Sequence, residues 1–139
     1  MKRSTGQALV ILSALSLVAW SEGVAQVIPA SGLASWYGEE LRGKPMANGQ
    51  KFDPDQLTAA SWYYPLGTQV RVTLRSSSAR SGAPAPSVLV TITDRGPAKR
   101  LVRRGRIIDL GHAAFKKLAS PDLGLVEVTV QPAPNRSSG

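Results

Sequence analysis

An all-β barrel is the fold this sequence predicts, and three observations predict it. Apolar residues gather in short runs, those runs either alternate with polar residues or are rich in Val, Ile and Thr, and Gly, Pro, Asn or Asp bounds each one. Little of the chain carries helical periodicity, so a closed sheet is the economical way to bury the apolar faces.

Taken in order, Val27 to Ser31 is a short lead-in, and Gly32 to Gly38 (Gly-Leu-Ala-Ser-Trp-Tyr-Gly) reads as a first strand ended by glycine. From Glu39 to Asp55 the chain is rich in Gly, Pro, Asn and Asp, with Asn48-Gly49 as a strong turn signal. A loop of that length on a rigid scaffold is where chemistry concentrates. Leu57 to Ser61 is expected to form a helical turn. Pro65-Leu66-Gly67 then launches Thr68 to Leu74, where Val70, Val72 and Leu74 alternate with polar residues as in a half-buried strand. Ser76 to Ser87 is a Ser, Ala, Gly and Pro insertion, read as a hairpin extension. Val88 to Thr93 is the most strongly β-branched strand, and a basic loop follows it. Arg106 to Leu110 is another short strand, Ala113 to Leu118 reads as one or two helical turns closed by Pro121 and Gly124, and Leu125 to Gln131 is the last strand. Pro132 to Gly139 is expected to be a disordered polar tail.

At 139 residues the chain holds one domain of ordinary size. Its first 25 residues read as a signal peptide: Lys2 and Arg3 form a charged start, Ala8 to Trp20 an apolar stretch, and Gly23-Val24-Ala25 a small-x-small cleavage site. The apolar stretch, about 13 residues, falls short of the roughly 20 that a membrane-spanning helix needs. The expected organisation is therefore a signal peptide over 1–25, a barrel over 26–131 and a tail over 132–139. The chain is expected in the periplasm or cell envelope as a monomer without an integral membrane span. With no cysteine at the cleavage site, a lipoprotein anchor is not expected.

Seventeen Lys and Arg stand against nine Asp and Glu. Cleavage would remove Lys2, Arg3 and Glu22, leaving 15 against 8 and a net charge of +7. That balance favours an anionic partner. An exported chain meets anionic wall polymer, peptidoglycan carboxylates and lipid head groups rather than nucleic acid. Absence of cysteine and a single histidine argue against a zinc site, and no cofactor motif is present.

Chemistry points first to Asp94. The apolar run Val88 to Ile92 delivers Thr93-Asp94-Arg95-Gly96-Pro97, so the carboxylate stands where a strand breaks into a turn, fixed from below and open above. Six of the twelve positions from Arg95 to Arg106 are Lys or Arg.

Several ordered motifs carry a family resemblance: Gly32 to Gly38, Ala47-Asn48-Gly49 with Phe52-Asp53, Leu57-Thr58-Ala59-Ala60, Pro65 to Thr68, Asp94 to Pro97, and Arg106 to Leu110. Together they resemble the RlpA (rare lipoprotein A)-like family over roughly Gly32 to Gln131. The resemblance implies a six-stranded double-psi β-barrel with one or two short helices, and endolytic lytic transglycosylase activity on peptidoglycan glycan strands. It places the site on the open side of the barrel. In the family pattern a Glu follows the Ala-Asn-Gly turn and a His follows the Thr-Ala-Ala segment. Here those positions hold Gln50 and Ser61, and of the three polar members only Asp94 is kept.

Gln50 exchanges no proton at useful pH, and Ser61 has no basic nitrogen, so neither supplies acid or base. A lytic transglycosylase can work with one carboxylate, because the muramoyl 6-hydroxyl attacks the anomeric carbon and gives a 1,6-anhydro end. Asp94 is therefore expected as the single acid/base, with Tyr37, Asn48, Gln50, Ser61 and Arg95 as the substrate-binding set. Glu39, Glu40 or Asp53 would serve as a second carboxylate if the long loop brought one near. Asp109 reads as structural. Trp36 and Tyr37 occupy opposite faces of one strand, one for the core and one for a sugar ring. Trp62, Tyr63 and Tyr64 divide between the same two roles, and His112 reads as a surface or helix-cap residue. The alternative function is a non-catalytic, expansin-like binding module. In it Asp94, Gln50, Asn48 and an aromatic grip the glycan, while Lys and Arg meet acidic stem peptides or other anionic envelope polymers.

Overall fold

The computed structural model describes residues 29–75 and 82–134. The expected signal peptide and the first half of the Ser/Ala-rich insertion lie outside the described residues, as does the end of the expected tail.

Among the described residues there are six strands: β1 (Ala30–Tyr37), β2 (Thr58–Ala60), β3 (Gln69–Leu74), β4 (Ser87–Asp94), β5 (Arg106–Gly111) and β6 (Val126–Pro132). They close into a barrel in the order β1-β5-β2-β4-β3-β6. Two of its pairings are parallel, β1 with β5 and β2 with β4; the other four are antiparallel. This is the double-psi barrel, with every strand paired on both sides and no open edge. The helices α1 (Lys99–Val102) and α2 (His112–Lys116) are each a single turn or little more.

Alternation explains most of the core. Val70 and Val72 from β3, Val88, Val90 and Ile92 from β4, and Val126, Val128 and Val130 from β6 are buried, while Gln69, Arg71, Leu89 and Glu127 between them face outward. Phe115 from α2 is fully buried and belongs to the same cluster, with Leu118 behind it. Beside it the indole of Trp36 packs 6.4 Å from the Phe115 ring, between centroids, and donates from Nε1 to the carbonyl of Pro121 at 2.9 Å.

The sequence reading needs correction at Leu57 to Ser61, which forms strand β2 rather than a helical turn. Thr58, Ala59 and Ala60 are all buried, and the strand is paired with β4 on one side and β5 on the other. Two alanines favour helix locally, but two ladders of backbone hydrogen bonds outweigh that preference. At the ends, β1 begins two residues earlier than read and pairs Ala30 with Val130, and β6 runs on to Pro132 opposite Val70. Within the basic loop, Lys99 to Val102 coil into α1.

Candidate active site

A single row across the sheet carries the polar residues. Ser35 on β1 is in register with Asp109 on β5, Asp109 with Ala60 on β2, and Ala60 with Asp94 on β4. Residues in register across a sheet project to the same face. Two strand spacings separate the two aspartates, about 10 Å between Cα atoms. Ala60, 4% exposed, stands between them, and its small side chain leaves a notch into which the backbone of Gly96 packs.

Asp94 reaches this row because β4 bulges. Register passes from Ala59 opposite Ile92 to Ala60 opposite Asp94, skipping Thr93. Simple alternation from Val88, Val90 and Ile92 would have sent Asp94 into the barrel; one extra residue turns it out. Its Oδ1 accepts from the backbone N–H of Ala47 at 2.9 Å and of Arg95 at 2.8 Å. Among the described residues no hydrogen bond engages Oδ2.

Through that Ala47 bond the long loop is docked at the site. The N–H of Asn48 also donates to the carbonyl of Thr93 at 3.2 Å. Asn48 Oδ1 accepts from the N–H of Gln50 at 2.9 Å, and Asn48 Nδ2 donates to Gln50 Oε1 at 3.1 Å. Gly49 supplies the turn's positive φ of 86°. Asn48 and Gln50 are thus brought to Asp94 as a preformed exposed pair, able to donate and accept through the remaining amide atoms.

Asp109, read from the sequence as structural, stands in the same row as Asp94. It is half-buried, and burial raises its pKa, against the lowering effects of the Ser35 hydrogen bond and the Arg106 charge. Ser35 Oγ donates to its Oδ1. Gly96 passes close by. A Cβ there would come 3.3 Å from the Ala60 Cβ and 3.6 Å from Asp109 Oδ2, so a side chain at this position would crowd the notch. The signal in sequence was the alternation Ser35, Tyr37 and Asp109 against the core residues Ala34, Trp36, Ile108 and Leu110, which places three polar groups on one face.

Tyr37 completes that face. Its ring lies 4.5 Å from that of Phe52, between centroids, and its buried hydroxyl has no hydrogen-bond partner among the described residues. Burial, then the charges of Asp94 and Asp109, drive its pKa well above the usual phenol range. Tyr37 therefore stays a neutral donor near both carboxylates.

Two members of the expected substrate-binding set are engaged elsewhere. Ser61 is fully buried; its hydroxyl donates to the Ile107 carbonyl at 3.4 Å and accepts from the Tyr63 N–H at 3.1 Å. Fully buried, it presents nothing to a ligand. Arg95 turns away from Asp94, its Nη1 donating to the carbonyls of Ser61 at 2.9 Å and Tyr64 at 2.6 Å. It clamps the loop after β2. The expected second carboxylates are also committed elsewhere: Arg42 pairs with Glu39, Asp53 and Asp55, and Glu40 accepts from the Gly38 N–H. Asp109 is the carboxylate that shares the row of Asp94.

Of the aromatics, Trp36 and Tyr64 belong to the core side, whereas Trp62 and Tyr63 are 46% and 52% exposed. His112 begins α2 with its ring 4.9 Å from that of Trp36. Among the described residues no three His, Cys, Asp or Glu are grouped to hold a metal ion, and no helix is long and apolar enough to cross a membrane.

Residues 29–130 match the protein family described as lytic transglycolase. The chain is 40% identical over 102 residues to a probable endolytic peptidoglycan transglycosylase RlpA of Nostoc sp., a match covering 72% of this chain and 24% of that protein. It is 39% identical over 100 residues to the endolytic peptidoglycan transglycosylase RlpA of Pseudomonas aeruginosa, covering 72% and 26%. The chain thus spans about a quarter of the length of these relatives. Among solved structures it resembles a Streptomyces papain inhibitor, with 27% identity, a TM-score of 0.54, and 76% of this chain and 94% of that one covered. A Clavibacter michiganensis expansin in complex with cellohexaose shares the fold at 16% identity and a TM-score of 0.55, over 81% of this chain and 54% of that one. The barrel, its ordered motifs and these relatives together make this chain a member of the RlpA-like lytic transglycolase family.

Proposed function

We propose that this chain is exported and cleaves peptidoglycan glycan strands as an endolytic lytic transglycosylase, using the row Ser35-Asp109-Ala60-Asp94. The observation that carries the reading is the pairing of two carboxylates of unlike surroundings across a notch. Asp109 is half-buried and biased toward its protonated form, whereas Asp94 accepts two backbone N–H groups at one oxygen.

Asp109 then donates its proton to the glycosidic oxygen as the bond from that oxygen to the muramoyl anomeric carbon breaks. The muramoyl 6-hydroxyl oxygen bonds to that carbon, and its proton passes to Oδ2 of Asp94. The product is a 1,6-anhydromuramoyl end and a free 4-hydroxyl. Solvent returns the proton from Asp94 to Asp109. Asn48 and Gln50, exposed beside Asp94, offer amide groups to the sugar's hydroxyl and acetamido groups.

Incubating the protein with purified sacculi and analysing the soluble products by mass tests this. Anhydro-muropeptides from the wild type, lowered about 10²–10⁴-fold in Asp109→Asn and in Asp94→Asn, are expected for two positioned acid/base groups. Full loss in Asp94→Asn with Asp109→Asn still active would leave Asp94 as the single acid/base. Binding to sacculi without any product would instead support the non-catalytic glycan-binding reading, which the proton-inert Gln50 and Ser61 favour.

A further inference from the structure

One feature beside the notch plays no part in that chemistry. Trp62 and Tyr63, large and apolar, are about half exposed, yet hydrogen bonds tie their loop down on both sides. Arg95 clamps the carbonyls on both sides of the pair, at Ser61 and Tyr64. The indole Nε1 of Trp62 donates to the carbonyl of Pro97 at 2.7 Å, and the N–H of Ser61 donates to the carbonyl of Asp94 at 3.1 Å. An exposed indole fixed by its own edge is preorganised to receive a flat apolar face at little entropic cost.

Charge is placed over it. The ammonium of Lys99 lies 5.0 Å from the centroid of the Trp62 ring. Arg100 and Arg103 continue along the same short helix and its end, both exposed, and neither they nor Lys99 form an ion pair among the described residues. One cation held against an exposed indole, with two more on the same short helix and its end, calls for an anionic group attached to a flat ring.

Resting on the function proposed above, we infer that Trp62 and Lys99 form a subsite next to the cleavage notch for an amino sugar bearing a carboxylate. The apolar face of the sugar ring takes the place of the ammonium on the indole and its carboxylate pairs with the displaced ammonium, with Arg100 and Arg103 adding longer-range attraction. Two sources supply such a carboxylate on a glycan strand: the lactyl group of a peptide-free muramoyl residue and the stem peptide of a substituted one. Chitohexaose supplies the same ring without the charge.

Equilibrium binding of the full-length protein to three ligands separates these contributions: chitohexaose, peptide-free glycan strands and peptide-bearing strands. The expected result is that Trp62→Ala weakens all three about tenfold, the factor that 1.4 kcal/mol represents. Lys99→Gln is expected to weaken a carboxylate-bearing strand severalfold and leave chitohexaose unchanged, with the affected strand naming the source of the carboxylate. Trp62→Phe, which keeps a ring and loses the Pro97 hydrogen bond, should recover most of the Trp62→Ala loss; thermal unfolding of each variant reports that the barrel is intact. Unchanged binding in Trp62→Ala, or equal losses on charged and neutral strands in Lys99→Gln, would overturn the subsite while leaving the cleavage proposal standing. Anionic phospholipid vesicles that bind the wild type and lose the same factor in Trp62→Ala would overturn it by marking a lipid surface. A wild type that binds no glycan at all would remove the proposed function together with the subsite.

Discussion

Asp109 and Asp94 are chemically identical side chains in one row of one sheet, and their neighbours make them different. Asp109 is half-buried and meets a serine hydroxyl and the charge of Arg106; Asp94 meets two backbone N–H groups. Since the folded pKa of Asp109 is raised above its ordinary 3.8, its folded form binds the extra proton in the window above that value. Its contribution to stability is therefore fully present below pH 3.8 and is lost as pH rises through the raised folded value. Thermal melts across this window should show a decline in the wild type that is absent in Asp109→Asn. Asp94 carries a different expectation. Replacement by Ala removes the acceptor for the Ala47 N–H, whereas Asn keeps a carbonyl oxygen there, so amide exchange at Ala47 should accelerate in Asp94→Ala and stay slow in Asp94→Asn.

The loops beside the notch depend on single clamps. Arg95 ties the segment after β2 to the end of β4 through two carbonyls, and hydrogen bonds from a charged donor contribute roughly 1.5–3 kcal/mol each when well shielded. Arg95 is partly exposed, so the lower end applies. Arg95→Met should lower the melting temperature by a few degrees and leave the Trp62 indole more mobile, read as a fall in fluorescence anisotropy. Glycine at position 96 acts on the same element by its size. In Gly96→Ala the new methyl would press on Ala60 and approach Asp109, so product formation on sacculi should fall by a larger factor than stability does.

On the scale of the whole molecule, closure of the sheet is what positions the site. The four residues of the polar row come from four strands, and their alignment holds only while the barrel is packed from within. Phe115 is the largest fully buried side chain and comes from a helix of five residues that has little stability of its own. Truncation of a buried Phe to Ala costs about 3–5 kcal/mol, a large share of the 5–15 kcal/mol that holds an ordinary domain. Phe115→Ala should shift the urea midpoint strongly downward. Any protein that remains folded at low temperature should keep the ordering of the site variants.

Much of this was legible in the chain itself. Alternation and turn residues announced the strands because a half-buried sheet imposes a period of two, and the motif order identified the family. Asp94 was legible because a strand ending in Arg-Gly-Pro must stop there. Three things were decided only by tertiary structure. The segment Thr58 to Ala60 became a strand because ladders on both flanks outweigh the helix preference of alanine. A bulge at Thr93, invisible in the sequence, turned Asp94 out of the barrel into the row of Asp109. Finally, the roles of Ser61, Arg95 and Asp109 depended on which neighbours the closed barrel set against them: backbone groups for the first two, a serine and a notch for the third. Strand propensity and motif order are properties of the local chain. Burial and hydrogen-bond partnership belong to residues far apart in it, and only the folded barrel brings those together.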